Sequence, residues 1–350
     1  MLDHSYRVLD RLRLPHGLYI ASPSEHYSYV WLRDSVYMSW PYLTRSDDHY
    51  ESAYARIFDL FRELEWKLDI LGKEKPVWEW EYIHARYRAE DVSEIHDQSW
   101  GHVQHDMLGA ILFGIGAGDQ AGKRMLRDAK DKEILQKLVR YLANVQYWID
   151  PDNGMWEEGR DIHASSVGAC VAGLKAVQHM VEVPDPLIHS GLNTLLALFP
   201  RESADRRADL AQLSLIYPYR LFRGMMAEII VEQVENKLLR ERGVIRYEGD
   251  SYYSTKEEQF GRGLAPQAYY GTEAEWTFGL PWLALCRLEQ GRRDKAEAYL
   301  RRTEELMLPG GELPELYFSG SDRPNPNTPL GWSSAMYILA KEALGREDRP

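Results

Sequence analysis

Apolar residues in this chain recur at helical spacing almost throughout and at strand spacing almost nowhere. From Asp48 to Leu71 the positions Tyr54, Ile57, Phe58, Phe61, Leu64, Leu68 and Leu71 line one face, and Gly72 supplies a stop. Asp131 to Ile149 repeats the pattern through Ile134, Leu138, Leu142 and Val145. By contrast, Met107 to Ile115 is so apolar that it must be buried on most sides, and Ser165 to Val181 is made mostly of small and apolar residues. A segment of the second kind must be covered all round, whereas one of the first kind faces water on its polar side.

Further helices are expected over Ser5 to Leu14, Ser35 to Leu43, Ala208 to Leu221, Gly224 to Arg240, Thr272 to Gln290, Arg292 to Met307 and Trp332 to Leu344. Another opens at Asp185, read as a cap with Pro186 at the first helical position, and ends near Pro200. Val244 to Ser254 is the best candidate for a hairpin or loop. About a dozen helices of two alternating kinds point to an all-α protein built as two concentric rings, an (α/α)6 barrel of six hairpins, with residues 1–350 as a single domain. A solenoid of stacked helix pairs shares the alternation, but the spacing is irregular and no short consensus recurs.

The formal charge of -12 disfavours a nucleic-acid groove, which needs clustered Lys and Arg. Cys170 and Cys286, in apolar surroundings, read as free buried thiols of a reducing compartment. No apolar run approaches the roughly 20 residues that span a bilayer, and no leader precedes Leu9, so a cytoplasmic protein without membrane contact is expected. Polar aromatics stand out, with 11 Trp and 22 Tyr against 8 Phe. Their flat faces and hydrogen-bonding edges match sugar rings, although a Trp-rich core gives the same count.

Two loops carry a carboxylate beside an aromatic residue: Met155-Trp156-Glu157-Glu158-Gly159-Arg160, and Gly311-Glu312-Leu313-Pro314-Glu315-Leu316-Tyr317. Two carboxyl groups suggest an acid and a base, while Glu312 reads as surface. Tyr27 to Asp34, Trp100 to Asp106 and Trp332 fall likewise near helix entrances. His102 and His105 lack a third ligand at metal-site spacing, so no metal is expected. Gly114-Ile115-Gly116-Ala117-Gly118 follows no strand and reads as a helix stop.

Five motifs in order resemble glycoside hydrolase family 15, the glucoamylase-like family. They are Tyr-x-Tyr-x-Trp-x-Arg-Asp at Tyr27 to Asp34, Trp-Gly-x-x-Gln-x-Asp at Trp100 to Asp106, Trp-Glu-Glu at Trp156 to Glu158, Pro-Glu-x-Tyr at Pro314 to Tyr317, and Pro-Leu-x-Trp-Ser at Pro329 to Ser333. The stretch from Gly154 to Gly168 is also similar to the glucoamylase-like region of phosphorylase kinase regulatory subunits.

The resemblance implies an (α/α)6 barrel that releases glucose with inversion from the non-reducing ends of α-glucans or oligosaccharides, without cofactor. It implies Glu157 as general acid and Glu315 as general base, with Tyr27 helping to hold the water. Arg33 and Asp34 would grip the terminal glucose, Trp31, Trp100, Trp156, Trp282 and Trp332 would form walls, and Glu158 would contact the next sugar. Tyr317 completes the expected binding set. The alternatives are a non-catalytic glucan-binding or regulatory module on the same fold, and an α-glucosidase for a disaccharide such as trehalose or isomaltose. Two departures from relatives are Gly154, where many fungal members carry aspartate, and the absence of an N-terminal β-sandwich or a starch-binding domain.

Overall fold

A computed structural model describes residues 1–96, 100–261 and 263–347. In chain order its helices and strands are α1 (Leu2–Leu12), β1 (Tyr29–Trp31), α2 (Leu32–Ser39), α3 (His49–Glu63), α4 (Glu65–Leu71), β2 (Arg86–Arg88), α5 (His105–Gln120), α6 (Ala129–Val145), α7 (Ala164–Val177) and α8 (Asp185–Leu198). There follow α9 (Met225–Lys237), α10 (Thr255–Phe260), β3 (Glu275–Trp276), α11 (Gly279–Glu289), α12 (Arg293–Glu305), β4 (Leu316–Tyr317) and α13 (Gly331–Glu347). The two short antiparallel pairs are β1 with β2, register Trp31 to Arg86, and β3 with β4, register Glu275 to Tyr317.

The chain forms two compact units. The first comprises Arg13–Ile20 and Tyr29–Phe199. In it α2 is buried at every residue, α7 at all but Lys175 and Ala176, and α5 on most sides. These three lie side by side, α2 against α5 and α5 against α7. In α3, α6 and α8 one face is buried and the other is wet. The second unit comprises Met1–Leu12, Ala21–Ser28 and Pro200–Pro350. It repeats the scheme, with α11 and the first half of α13 covered, α12 packed on α11, and α1 packed on α13. The expected alternation is present in each unit.

Local differences from the sequence reading have physical causes. The helix expected over Asp48 to Leu71 is two, α3 and α4, joined at Leu64. Beyond the join, Lys67 turns inward to donate to the Tyr82 carbonyl at 3.1 Å and to Glu94 at 2.6 Å. Ala208 to Leu221 holds only a 3-10 helix, Leu210–Leu215, capped by Asp209, because Pro218 lacks an N–H and disfavours helix at the residue before it. The start of the segment from Thr272 is strand β3, and helix begins at Gly279. At α8 Pro184 occupies the cap position and Asp185 is already helical.

The glycine run from Gly114 is not a stop. Helix α5 continues through it to Gln120, and its glycines are contact points. A Cβ on Gly109 would lie 2.3 Å from the Ala169 carbonyl carbon of α7, one on Gly116 2.4 Å from the Ala176 carbonyl oxygen, and one on Gly173 2.4 Å from the Gly109 carbonyl oxygen. Backbone meets backbone there. Gly109→Val should therefore destabilise the protein by roughly 1–3 kcal/mol or more, read as a lower denaturant midpoint at unchanged slope.

Candidate active site

In the first unit the site is assembled from the end of β1, the first turn of α2, and the loops entering α5 and α7. Trp31 closes β1, paired with Arg86, and chain reversal places Arg33 and Asp34 in the first turn of α2. These two are therefore helical. The Arg33 guanidinium is almost fully buried. One nitrogen donates to Gln104 Oε1 at 2.7 Å and Asp106 Oδ2 at 3.1 Å, and the other to Glu157 Oε1 at 3.0 Å. Its charged partners are thus Asp106 and Glu157.

The Glu157 loop is tightly tied. Asn153 donates from its backbone to the Val103 carbonyl at 2.6 Å and from its amide to the Glu158 carbonyl at 2.6 Å. Its Oδ1 accepts from Val103 N–H at 3.1 Å. Gly154 has φ +63°, and a Cβ there would strike the His163 ring at 2.7 Å, which explains glycine where related chains carry aspartate. Glu157 itself sits at φ 63°, in the left-handed region uncommon for residues other than glycine. Such strain, commonly about 1–3 kcal/mol, persists where surrounding bonds over-determine the backbone.

Glu157 keeps about a fifth of its side chain exposed, yet burial pushes its carboxyl up to about 7. Arg33 and Arg86 oppose the shift, while Asp34 and Asp106 add to it. Around it, Trp31 and Trp100 meet edge to face at 6.3 Å, and the Arg86 guanidinium lies 4.2 Å from the Trp100 ring centre. Trp156 is buried, and Glu158 is half-buried with its N–H on the Asn153 carbonyl. The structure thus brings Trp31, Arg33, Asp34, Trp100 and Glu157 together.

In the second unit Glu315 is buried beside β4. Its Oε1 accepts from the Tyr27 hydroxyl at 2.6 Å, and its Oε2 from the amides of Asn325 and, at 2.7 Å, Asn327. Asn327 is held by Ser24 at 2.6 Å, and Tyr27 shares a 2.8 Å bond with Tyr252. Burial raises the Glu315 carboxyl above its ordinary range, and the three donors, with Arg246, oppose it by favouring the ionised form.

Asn325, Asn327 and Tyr252 were missed by sequence reasoning. The only local signal is Pro324-Asn325-Pro326-Asn327-Thr328-Pro329, a turn-rich run directly before a motif that was recognised. Gln104 and Asp106, both inside a recognised motif, were left out of the binding set although they hold Arg33.

Three further residues of the expected binding set make their contacts in the interior of the second unit. Trp282 is fully buried, with its indole N–H on the Tyr217 carbonyl at 2.7 Å. The Tyr317 hydroxyl donates to the Leu306 carbonyl at 2.7 Å. Trp332 stacks on Phe278 at 4.8 Å in the same aromatic cluster as Trp282. Glu312 is a surface residue, paired with Arg11 at 2.6 Å. His102 stacks on His84 at 4.0 Å and His105 pairs with Asp150 at 3.0 Å; no metal-holding group of His, Cys, Asp and Glu occurs among the described residues. Among those residues, no helix is long and apolar enough to cross a membrane.

Comparison with known proteins matches this arrangement to a family. The sequence model for glycosyl hydrolases family 15 matches residues 8–341. The chain belongs to that family. Among relatives, the liver isoform of phosphorylase b kinase regulatory subunit alpha from Mus musculus is 25% identical over 302 residues, covering 74% of this chain and 24% of that protein. An uncharacterized glycosyl hydrolase of Methanocaldococcus jannaschii is 24% identical over 367 residues, covering 92% and 52%. The chain thus spans about a quarter and about half of their lengths. Among solved structures, a wild-type glycosidase superposes with a TM-score of 0.80 at 22% identity, covering 98% of this chain and 96% of the other. A bacterial glucoamylase complexed with acarbose gives 0.65 at 16%, covering 99% and 57%. These likenesses establish an all-α fold of the glucoamylase (α/α)6 type.

The hydrogen bonds yield a prediction independent of any activity. Asn327→Ala removes a donor that favours the Glu315 carboxylate, so Glu315 should titrate at higher pH than in the unmodified protein. Arg33→Gln should move Glu157 above about 7, because Arg33 holds it down. Carbon-13 NMR titration of glutamate-labelled protein reads both.

Proposed function

We propose that this family 15 member is an inverting, exo-acting glycoside hydrolase that releases glucose from the non-reducing ends of α-glucans or α-linked oligosaccharides. Glu157 is the general acid and Glu315 the general base. The observation that carries the reading is the contrast between their surroundings. Glu157, raised to about 7, retains its proton in mildly acid solution and has one to give to a glycosidic oxygen. Glu315 accepts three hydrogen bonds, from Tyr27, Asn325 and Asn327, all of which favour a carboxylate ready to take a proton.

In the reaction Glu157 protonates the departing oxygen as the bond to the anomeric carbon breaks. Glu315 takes a proton from the attacking water, with Tyr27 fixing the orientation of its Oε1. Water enters opposite the leaving group, so an α-linkage gives β-glucose, and inverting enzymes separate the two carboxyl groups by about 6.5 to 9.5 Å for that reason. Arg33 retains a buried Nε–H without a partner among the described residues. A sugar hydroxyl accepting from it would offset the cost of that desolvation. Proton transfers and water suffice, so no cofactor enters.

A non-catalytic glucan-binding module is the rival, favoured by the likeness to the phosphorylase kinase subunit. A proton NMR time course on maltooligosaccharides separates the two. The first product is expected to be β-glucose; initial α-glucose would rule out inversion. Binding without any glucose release across α-1,4, α-1,6 and α,α-1,1 substrates would favour the module. Glu315→Gln should abolish turnover with little loss of affinity, because the base acts mainly in the transition state.

The pH profile follows from the same two groups. Activity should rise as Glu315 ionises, above the ordinary carboxylate range, and fall as Glu157 loses its proton near 7. The result is a bell whose falling limb lies near 7. Glu157→Gln should remove most activity on glucans while sparing substrates whose leaving group needs no proton, and should delete the falling limb on those substrates.

A further inference from the structure

Trp66, Trp78 and Trp80 are 52%, 62% and 48% exposed, an unusual state for the largest side chain, and Ile70 and Val77 in the same stretch of chain are at least half exposed. The segment carrying Trp78 and Trp80 is nevertheless held in shape. Glu81 Oε2 accepts from the N–H groups of Val77 at 2.6 Å and Trp78 at 2.8 Å, and Lys67, next to Trp66, grips the Tyr82 carbonyl at 3.1 Å. Indoles presented on a braced turn lose little further freedom when they bind.

The same segment is tied to both ends of the loop that carries Glu157. Lys75 pairs with Asp150 at 2.8 Å, and the Tyr82 hydroxyl reaches Asp150 at 3.1 Å. Arg160 donates to the Tyr82 hydroxyl at 3.2 Å and lies over its ring. The exposed indoles thus adjoin the Glu157 loop, on the side where that loop returns to solvent at Gly159 and Arg160.

We infer that Trp78 and Trp80, with Trp66, form an outer platform on which the remainder of a long α-glucan lies while its terminal glucose is at Glu157, so that the protein prefers long chains to disaccharides. The inference rests on the glucan reading of the site and extends it to chain length. Charge pattern selects the occupant. Five of the twelve residues from Leu71 to Tyr82 are Lys or Glu, interleaved with the indoles. A protein-binding core is depleted of such charges, whereas a sugar chain stacks its faces on indole and takes hydrogen bonds from the polar groups between.

The test is calorimetric titration with maltose and maltoheptaose on protein silenced by Glu315→Gln, with and without Trp78→Ala and Trp80→Ala. Maltoheptaose should bind more tightly than maltose, and the double replacement should reduce that ratio by about tenfold, the value of a good aromatic contact. Phe at both positions should recover most of the ratio, which a merely structural loss would not do. An unchanged ratio overturns the inference. So does a dimer in sedimentation that the alanine variant abolishes without altering the ratio, which assigns the patch to a second copy of the chain. If the unmodified protein releases no glucose yet the ratio still falls, the hydrolase reading fails and the platform stands. If it releases glucose and the ratio is unchanged, the platform fails and the hydrolase reading stands.

Discussion

The backbone contact between α5 and α7 is the constraint on which the first unit depends. Gly109 and Gly173 leave no side chain at the crossing, so the two helices approach until carbonyl groups set the limit. The loop from Trp100 to Asp106 feeds into α5, and the loop from Trp156 to Glu158 feeds into α7. Fixing the helices fixes the distance between their entrances. Arg33 then spans that gap, with Asp106 on one side and Glu157 on the other, at separations that tolerate little drift.

The two carboxyl groups show how a protein differentiates one functional group by environment. Both are raised by burial, but Glu157 meets two guanidinium groups set against two further carboxylates, whereas Glu315 meets three neutral donors with Arg246 in support. Hydrogen bonds to the carboxylate favour its ionised form and so work against the effect of burial. Guanidinium groups beside competing anions leave Glu157 with a carboxyl pushed up to about 7.

Fold class was legible in the sequence because helical periodicity is local: α6 and α7 are evident from their own residues. Boundaries were legible only where a breaker stood at them. Leu64 carries no such mark, since the break goes with Lys67 reaching groups far along the chain. The glycines of α5 were misjudged for the same reason, as their function lies in what α7 presents to them. In the site, Glu157, Glu315, Arg33 and Tyr27 could be named from motif resemblance, while Asn325 and Asn327 could not. An asparagine in a proline-rich turn looks like turn chemistry until folding brings a buried carboxylate to it. Trp282 and Tyr317 carried no mark of the interior contacts that folding gives them, to the Tyr217 and Leu306 carbonyls.

The packing of α1 on α13 has a consequence for synthesis of the protein. Helix α1 buries Tyr6, Val8, Leu9 and Leu12, and its Tyr6 hydroxyl donates to Glu342 Oε1 at 2.6 Å. On a ribosome the apolar stripe of α1 emerges more than 300 residues before its partner helix. At about 5–20 residues per second, the intervening chain takes roughly 15 to 60 s to make. During that time the first unit has all of its residues, while the stripe of α1 waits without its native cover and is open to capture by chaperones. The second unit is therefore completed only after the first.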